Sequence, residues 1–155
     1  MKKICILFMF SLLLPQLQAQ EYLHIKNAFD KYAKEKGAVF VQLSKDILSK
    51  GDTRIRFYKS MIISDNRQKA DWILNLIEAD RTEPDDLRKS SSGNKITTLI
   101  CQIKSGKTRE NEYILYKNID KKVSLVYIRG DFLPEELDQE LNKLKDLFIY
   151  VKEKN

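Results

Sequence analysis

The sequence predicts an α+β domain in which an antiparallel sheet of about four to five strands carries helices packed mostly on one face. Two observations predict this fold class. Three β-branched and aromatic runs follow one another between residues 96 and 130, separated by short polar turns, as in an antiparallel meander. Apolar residues recur at helical spacing before and after that meander.

The first nineteen residues have a different pattern, that of a secretory signal peptide. Two lysines precede the apolar run "ICILFMFSLLLP", which is too short to span a bilayer, and a small residue stands before a cut at Ala19–Gln20. A retained membrane anchor is the alternative interpretation. We expect removal of residues 1–19, which leaves residues 20–155 as a single periplasmic or secreted domain without stable membrane insertion.

The charged residues of the mature chain are mixed along the sequence. Without the two lysines of the signal peptide, Lys and Arg fall from 28 to 26 against 22 Asp and Glu, a net charge of +4. Both signs alternate in runs such as "DKYAKEKG" and "EELDQELNKLKD". A nucleic-acid-binding protein more often has one basic stripe, so we expect a solvated mixed surface and no nucleic-acid partner.

The first part of the domain is predicted to contain two helices separated by a strand. Residues 24–36 have helical spacing with one face of lysines, and Gly37 follows as a C-cap. The run "AVFVQL", residues 38–43, is short, β-branched and aromatic, which predicts a mostly buried strand. Ser44 then caps a short helix, "KDILSK", that ends near Gly51.

A strand, a helix and a loop are predicted to follow. Residues 53–64 form the strand, whose apolar face consists of Ile55, Phe57, Met61 and Ile63. A weak capping box of Asp65 and Gln68 begins a helix that ends at about Arg81, ahead of a proline. The polar run "SSSGN", residues 90–94, is the clearest loop signal in the chain.

The meander and a C-terminal helix complete the predicted domain. The strands of the meander are expected at residues 96–104, 111–117 and 122–130, joined by "SGKTRE" and "NIDK". The third strand is apolar on both faces and is therefore expected near the centre of the sheet. Pro134 and two glutamates mark the start of the last helix. This helix is expected to pack on the meander through Leu137, Leu141, Leu144 and Phe148.

Two stretches of the chain resemble known proteins. "FDKYAKEKGAVFVQLSKDIL" (residues 29–48) and "KKVSLVYIRGDFLPEELDQELNKL" (residues 121–144) are similar to the ends of small exported proteins of unknown function from Bacteroidetes. The similarity covers about a third of the mature chain and does not include residues 52–109. Because the shared patterns are hydrophobic and capping patterns, the resemblance implies export and an α+β fold, and it supplies no catalytic residues.

Few side chains in the sequence indicate catalysis or metal binding. A serine or cysteine nucleophile needs a base nearby, and His24, the one histidine, lies close to the predicted mature N-terminus. Cys101 is the one cysteine after the signal peptide, and we expect a buried inert thiol rather than a nucleophile or an intermolecular bridge. One histidine and one cysteine do not make a zinc site, and the acidic run "EADRTEPDD", residues 78–86, lacks the glycine of a calcium loop. We therefore expect no metal and no cofactor.

The absence of a catalytic constellation favours a non-enzymatic domain that binds or scaffolds an envelope protein. The predicted partner surface is the sheet face opposite the helices, near Tyr116, Lys117 and Arg129. The alternatives are a small secreted hydrolase that uses two carboxylates and a surface-polysaccharide binder with an exposed row of aromatic residues. Tyr113 and Tyr116 are three positions apart in one strand and point to opposite faces, so core packing of the aromatic residues is favoured.

Overall fold

The computed structural model describes residues 23–81, 87–103 and 109–154, with side chains of the last helix as far as Leu147. The predicted signal peptide lies outside these residues. The helices in the described ranges are α1 (Lys26–Tyr32), α2 (Lys45–Leu48), α3 (Arg67–Asp80) and α4 (Leu137–Lys154). The strands are β1 (Val39–Leu43), β2 (Ile55–Ser64), β3 (Arg88–Ser92), β4 (Lys95–Ile103), β5 (Asn111–Ile119) and β6 (Lys122–Gly130). A 3₁₀ turn, Pro134–Glu136, leads into α4.

All six strands form one antiparallel sheet in the order β1-β2-β6-β5-β4-β3. The α+β class and the meander of β4, β5 and β6 are therefore confirmed, and the sheet has one strand more than the upper expectation. β6 lies between β2 and β5, as its two apolar faces predict. Asp120 and Lys121 connect β5 to β6 with positive φ angles of 54° and 58°, which is the two-residue turn that matches the twist of paired strands.

The additional strand, β3, occupies part of the segment that was predicted as a loop. Residues Arg88–Ser92 pair with β4, and Gly93, with a φ of 59°, lies in the turn between the two strands. All five residues of β3 are exposed, so no alternation of polar and apolar residues marks the strand. The backbone hydrogen bonds to β4 define it instead, and a pattern search for buried faces misses such a strand.

Helices cover both faces of the sheet, which corrects the prediction that they pack mostly on one. Along β6, Val123, Leu125 and Tyr127 belong to a core that includes α1 and α3. Ile128 belongs to a second core that includes Leu48 of α2 and several leucines of α4. Since neighbouring residues of a strand point to opposite faces, the two cores lie on opposite sides of the sheet.

The strand β1 lies at an edge of the sheet, whereas the sequence pattern predicted a mostly buried strand. Val39 is 54% exposed and Phe40 is 40% exposed. The composition "VFVQL" is the same for an edge and for a central position, so local propensity predicts the strand correctly. Its exposure follows from the sheet order, in which β2 is the one neighbour of β1 among the described strands.

A β-bulge in β2 separates two residues that were predicted to share one face. Ile55 pairs with Gly130 and Phe57 pairs with Arg129, so the register shifts between the two pairs. Ile55 consequently enters the α2/α4 core, whereas Phe57 packs against the α1/α3 core. A Cβ atom at Gly130 would lie 2.5 Å from the carbonyl oxygen of Arg54, so only glycine fits where the backbones approach this closely.

Candidate functional site: a cleft beside helix α3

A cleft of about 500 Å³ lies at one end of the sheet, beside the first turns of α3. Its lining also includes the residue that follows β2, the start of β4 and the end of β5. These segments are distant in sequence. Antiparallel pairing brings them to the same end of the sheet, and this site is called the α3 cleft below.

Asp65 connects two other polar residues of the α3 cleft. Its Oδ2 accepts a hydrogen bond from Lys95 Nζ at 2.9 Å, and its Oδ1 accepts one from Asn118 Nδ2 at 3.3 Å. The sequence predicted Asp65 as the cap of α3, but Asn66 is the N-cap, and its side chain accepts from the backbone N–H of Gln68 at 2.9 Å. This shift by one residue leaves the Asp65 carboxylate available to the cleft.

Asn118 is a buried polar side chain of the α3 cleft with one atom that is unpartnered among the described residues. It is only 2% exposed, and its Nδ2 donates to Asp65 and, at 3.2 Å, to the hydroxyl of Tyr116. Its Oδ1 is buried and accepts no hydrogen bond from the described residues. An unpartnered buried acceptor costs about 1–3 kcal/mol in folding stability, and this one can accept a hydrogen bond from a group that enters the cleft.

Tyr116, two residues before Asn118 in β5, contributes its hydroxyl group to the same cluster. Its side chain is 1% exposed. Burial raises the pKa of the Tyr116 hydroxyl above its ordinary value, and the hydrogen bond from Asn118 opposes that shift in part. The phenol therefore stays neutral at physiological pH and can both accept and donate a hydrogen bond.

The α3 side of the cleft combines an exposed ion pair with an apolar wall. Arg67 Nε lies 3.9 Å from Asp71 Oδ2, and both side chains are mostly exposed. The apolar wall consists of Ala70, Leu74 and Ile96. The charged residues that line the cleft are Asp65, Asp71, Arg67 and Lys95, so its formal charge is zero. The combination of charged groups and an apolar wall suits a ligand with both polar and apolar parts.

The three residues predicted as a partner surface do not lie together. Tyr116 is buried in the α1/α3 core and reaches the α3 cleft, whereas Lys117 is exposed on the opposite face. Arg129 is partly buried, with its Nε 2.6 Å from Glu110 Oε2 and its guanidinium 5.8 Å from the ring centre of Phe57. The predicted placement on one helix-free face fails because helices cover both faces.

His24 and Asp80 form a structural contact that the sequence did not indicate. Asp80, in the acidic run at the end of α3, is 6% exposed and accepts hydrogen bonds from the backbone N–H groups of His24 and Ile25 at 2.7 and 2.8 Å. The His24 Nδ1 lies 2.8 Å from Asp80 Oδ1. The Asp80 carboxylate, at the end of α3, thereby holds the start of α1. These contacts account for its burial without a metal ion.

A second polar cluster, at the opposite end of β2, surrounds the fully buried Glu140 of α4. Its carboxylate accepts hydrogen bonds from the backbone N–H of Arg54 at 2.7 Å, from Thr53 Oγ1 at 3.0 Å, from Lys143 Nζ at 3.1 Å and from Arg54 Nε at 3.2 Å. Arg54 also pairs with Glu136 at 2.7 Å. Burial raises the pKa of Glu140, but the donors outweigh it and the pKa is lowered overall. This cluster joins α4 to β2.

The remaining candidate groups give no indication of catalysis or of metal binding in the described residues. Cys101 is 1% exposed in the α1/α3 core, which confirms the expected burial. No group of three or more potential metal ligands occurs within the residues that the structure describes. No helix in those same ranges is long and apolar enough to cross a membrane.

Comparison with known proteins places the chain in a family. Residues 12–141 match the model of the Family of unknown function (DUF6108), and the chain belongs to that family. No protein of curated function matches it, and no solved structure matches it. The match covers the middle of the chain, the first stretch that showed a resemblance and the second stretch as far as residue 141. Export and a Bacteroidetes origin stay predictions.

Proposed function

We propose that this member of the DUF6108 family is an exported, non-enzymatic domain that binds a protein partner of the cell envelope through the α3 cleft. The unpartnered Oδ1 of Asn118 carries this proposal. A buried acceptor without a donor lowers folding stability, whereas a partner that supplies the donor would recover that free energy on binding.

A carboxylate-based hydrolase is the main rival, because Asp65 and Asp71 line one cleft. A catalytic acid needs apolar surroundings that keep it protonated. Asp65 instead contacts the Lys95 ammonium, and Asp71 is 66% exposed beside Arg67. The two carboxyl groups therefore favour binding over acid catalysis.

A polysaccharide-binding function receives less support from the aromatic residues. Tyr113, Tyr116 and Tyr127 are fully buried, and Phe40 is the large aromatic side chain that is substantially exposed in the described ranges. A sugar platform needs several aromatic faces in a solvent-exposed row. We therefore prefer a protein or peptide partner.

The proposal is tested by capture of partners from the native envelope fraction with the exported protein as bait, followed by mass spectrometry. We expect at least one protein that is captured by the wild type but not by Asn118→Leu, which removes both polar atoms of the side chain. Lys117→Ala is the matched control, because Lys117 is one residue away and exposed on the other face. Equal capture by the wild type and Asn118→Leu would overturn the proposal.

A further inference from the structure

We propose that the α3 cleft recognises a primary α-ammonium group that carries an apolar side chain, the chemistry of a peptide amino terminus or of a free apolar amino acid. This inference rests on the proposed function, because it specifies the end group that the partner presents to the cleft. Three features of the cleft carry it: the number of acceptors, the charge of Asp65 and the apolar wall.

The acceptors match the donors of an ammonium group. The Asn118 amide, the Asp65 carboxylate and the Tyr116 hydroxyl form one cluster, in which Asn118 Nδ2 lies 3.3 Å from Asp65 Oδ1 and 3.2 Å from the Tyr116 hydroxyl. Asn118 Oδ1 adds an acceptor that has no donor among the described residues. An ammonium group has three N–H donors and no acceptor. A hydroxyl or a secondary amide has one donor and would leave part of the cluster without a new partner.

The charge of Asp65 favours a cationic donor over a neutral one. This carboxylate already holds one ammonium group, that of Lys95, with Nζ 2.9 Å from Oδ2. Lys95 is 50% exposed, and pairs of this kind contribute little to stability. The ligand ammonium therefore replaces the Lys95 ammonium at Asp65 and reaches Asn118 beside it, while Lys95 turns towards solvent.

The displaced Lys95 and the nearby Arg67 then suit the oxygen atom that follows an α-ammonium group in every amino acid or peptide. Both side chains line the cleft close to the start of α3. The N-terminus of a helix also favours a negative or electron-rich group. A peptide carbonyl or a free carboxylate fits this position equally well.

The apolar wall explains the preference for an apolar first side chain. Leu74 and Ile96 are only partly buried in the α1/α3 core, and both face the cleft with Ala70. Covering them with a leucine-sized side chain removes apolar surface from water on both molecules. The cleft volume of about 500 Å³ lies within the range of sites for small ligands.

The proposal is tested by isothermal titration calorimetry, which measures the dissociation constants of the exported protein for the tripeptide Leu-Gly-Gly, for N-acetyl-Leu-Gly-Gly and for free L-leucine. Acetylation removes the positive charge and two donors but keeps the side chain. We expect Leu-Gly-Gly to bind at least about tenfold more tightly than the acetylated peptide, since hydrogen bonds to charged groups are the stronger ones. Free L-leucine distinguishes the two sources of the ammonium group: equal binding indicates an amino-acid site, and weaker binding indicates a peptide terminus.

Asp65→Asn is the most informative variant, because it keeps the side-chain shape and removes the charge. We expect it to lose the discrimination between free and acetylated peptide, with circular dichroism confirming that the variant is folded and Lys117→Ala as the unaffected control. Binding of both peptides within about twofold of each other by the wild type, or no binding of Leu-Gly-Gly at about 10 mM, would overturn this inference. If partner capture still depends on Asn118 in that case, the proposed function stands without it.

Discussion

Two buried polar side chains at opposite ends of β2 differ in how well they are hydrogen bonded. Near the start of β2, the Glu140 carboxylate accepts four hydrogen bonds from Thr53, Arg54 and Lys143. Near the end of β2, Asn118 donates twice, but its Oδ1 accepts no bond from the described residues. The first group is saturated by the fold, and the second is not.

This difference separates a structural role from a binding role. A buried carboxylate with four donors contributes to stability because each donor also loses its partner when the carboxylate is removed. A buried amide oxygen without a donor lowers stability and can gain a partner only from outside the fold. The comparison therefore gives the Glu140 cluster a stabilising role and supports the binding role that we propose for the α3 cleft.

The largest effect is expected from removal of the Glu140 carboxylate. We expect Glu140→Ala to lower the free energy of unfolding by about 3–5 kcal/mol, because Arg54 and Thr53 are left without their buried partner. Urea denaturation followed by circular dichroism measures this loss. The exposed Gln139, one position earlier in α4, provides the control as Gln139→Ala. A loss below about 1 kcal/mol would remove the structural role assigned to this cluster.

A smaller effect is expected from acid. The Arg54 side chain lowers the pKa of Glu136 below its ordinary value, and the pKa of Glu140 is lowered as well, because its hydrogen-bond donors outweigh burial. Groups with a lowered pKa in the folded state contribute stability that is present above the unfolded-state pKa and is lost as the pH falls through the folded-state pKa.

We therefore expect the urea midpoint of the wild type to decrease as the pH drops below about 4.5 and to decrease less steeply in Glu140→Gln. Denaturation curves between pH 3 and pH 7 measure this slope, and the exposed Glu135 supplies the control variant Glu135→Gln. Identical slopes for the wild type and Glu140→Gln would show that Glu140 does not stabilise the fold as an ion.

The smallest effect on stability is expected at the α3 cleft. Asn118→Leu loses hydrogen bonds to Asp65 and Tyr116 but also removes the unpartnered buried Oδ1. These changes oppose each other, so we expect the free energy of unfolding to change by no more than about 1 kcal/mol. Thermal denaturation measures the change, and a loss as large as that of Glu140→Ala would make Asn118 a structural residue and would abolish the contrast between the two ends of β2.

The sequence predicted more of the fold than of the site. The meander, the cap at Ser44, the helix that ends near Arg81 and the central position of β6 follow from local patterns, and the structure agrees with them. The prediction of Gly37 as a C-cap is wrong, because α1 ends at Tyr32 with Ala33 as its C-cap and Gly37 lies in a later turn. The strand β3 escaped prediction because it is polar throughout and is defined by pairing with β4. The exposure of β1 and the presence of helices on both faces were not predicted, because both depend on the order of the strands in the sheet.

The site depended even more on tertiary contacts. Tyr116 was the one predicted site residue that reaches the α3 cleft, while Lys117 and Arg129 lie elsewhere. Asp65 was assigned to a helix cap, and Lys95 and Asn118 belong to no motif. The signal that identifies Asp65 is its neighbour Asn66, because both residue types cap helices, only one cap is needed, and the other side chain is left for another contact.

The sequence by itself determined the α+β class, the positions of most helices and strands and the burial of Cys101, because periodicity, capping and composition act over a few neighbouring residues. Tertiary structure alone decided which strands lie at the edges, which carboxylates are saturated and which polar groups meet in the α3 cleft. Those outcomes depend on pairing between segments tens of residues apart, where hydrogen bonds and burial are shared by residues that no local pattern connects.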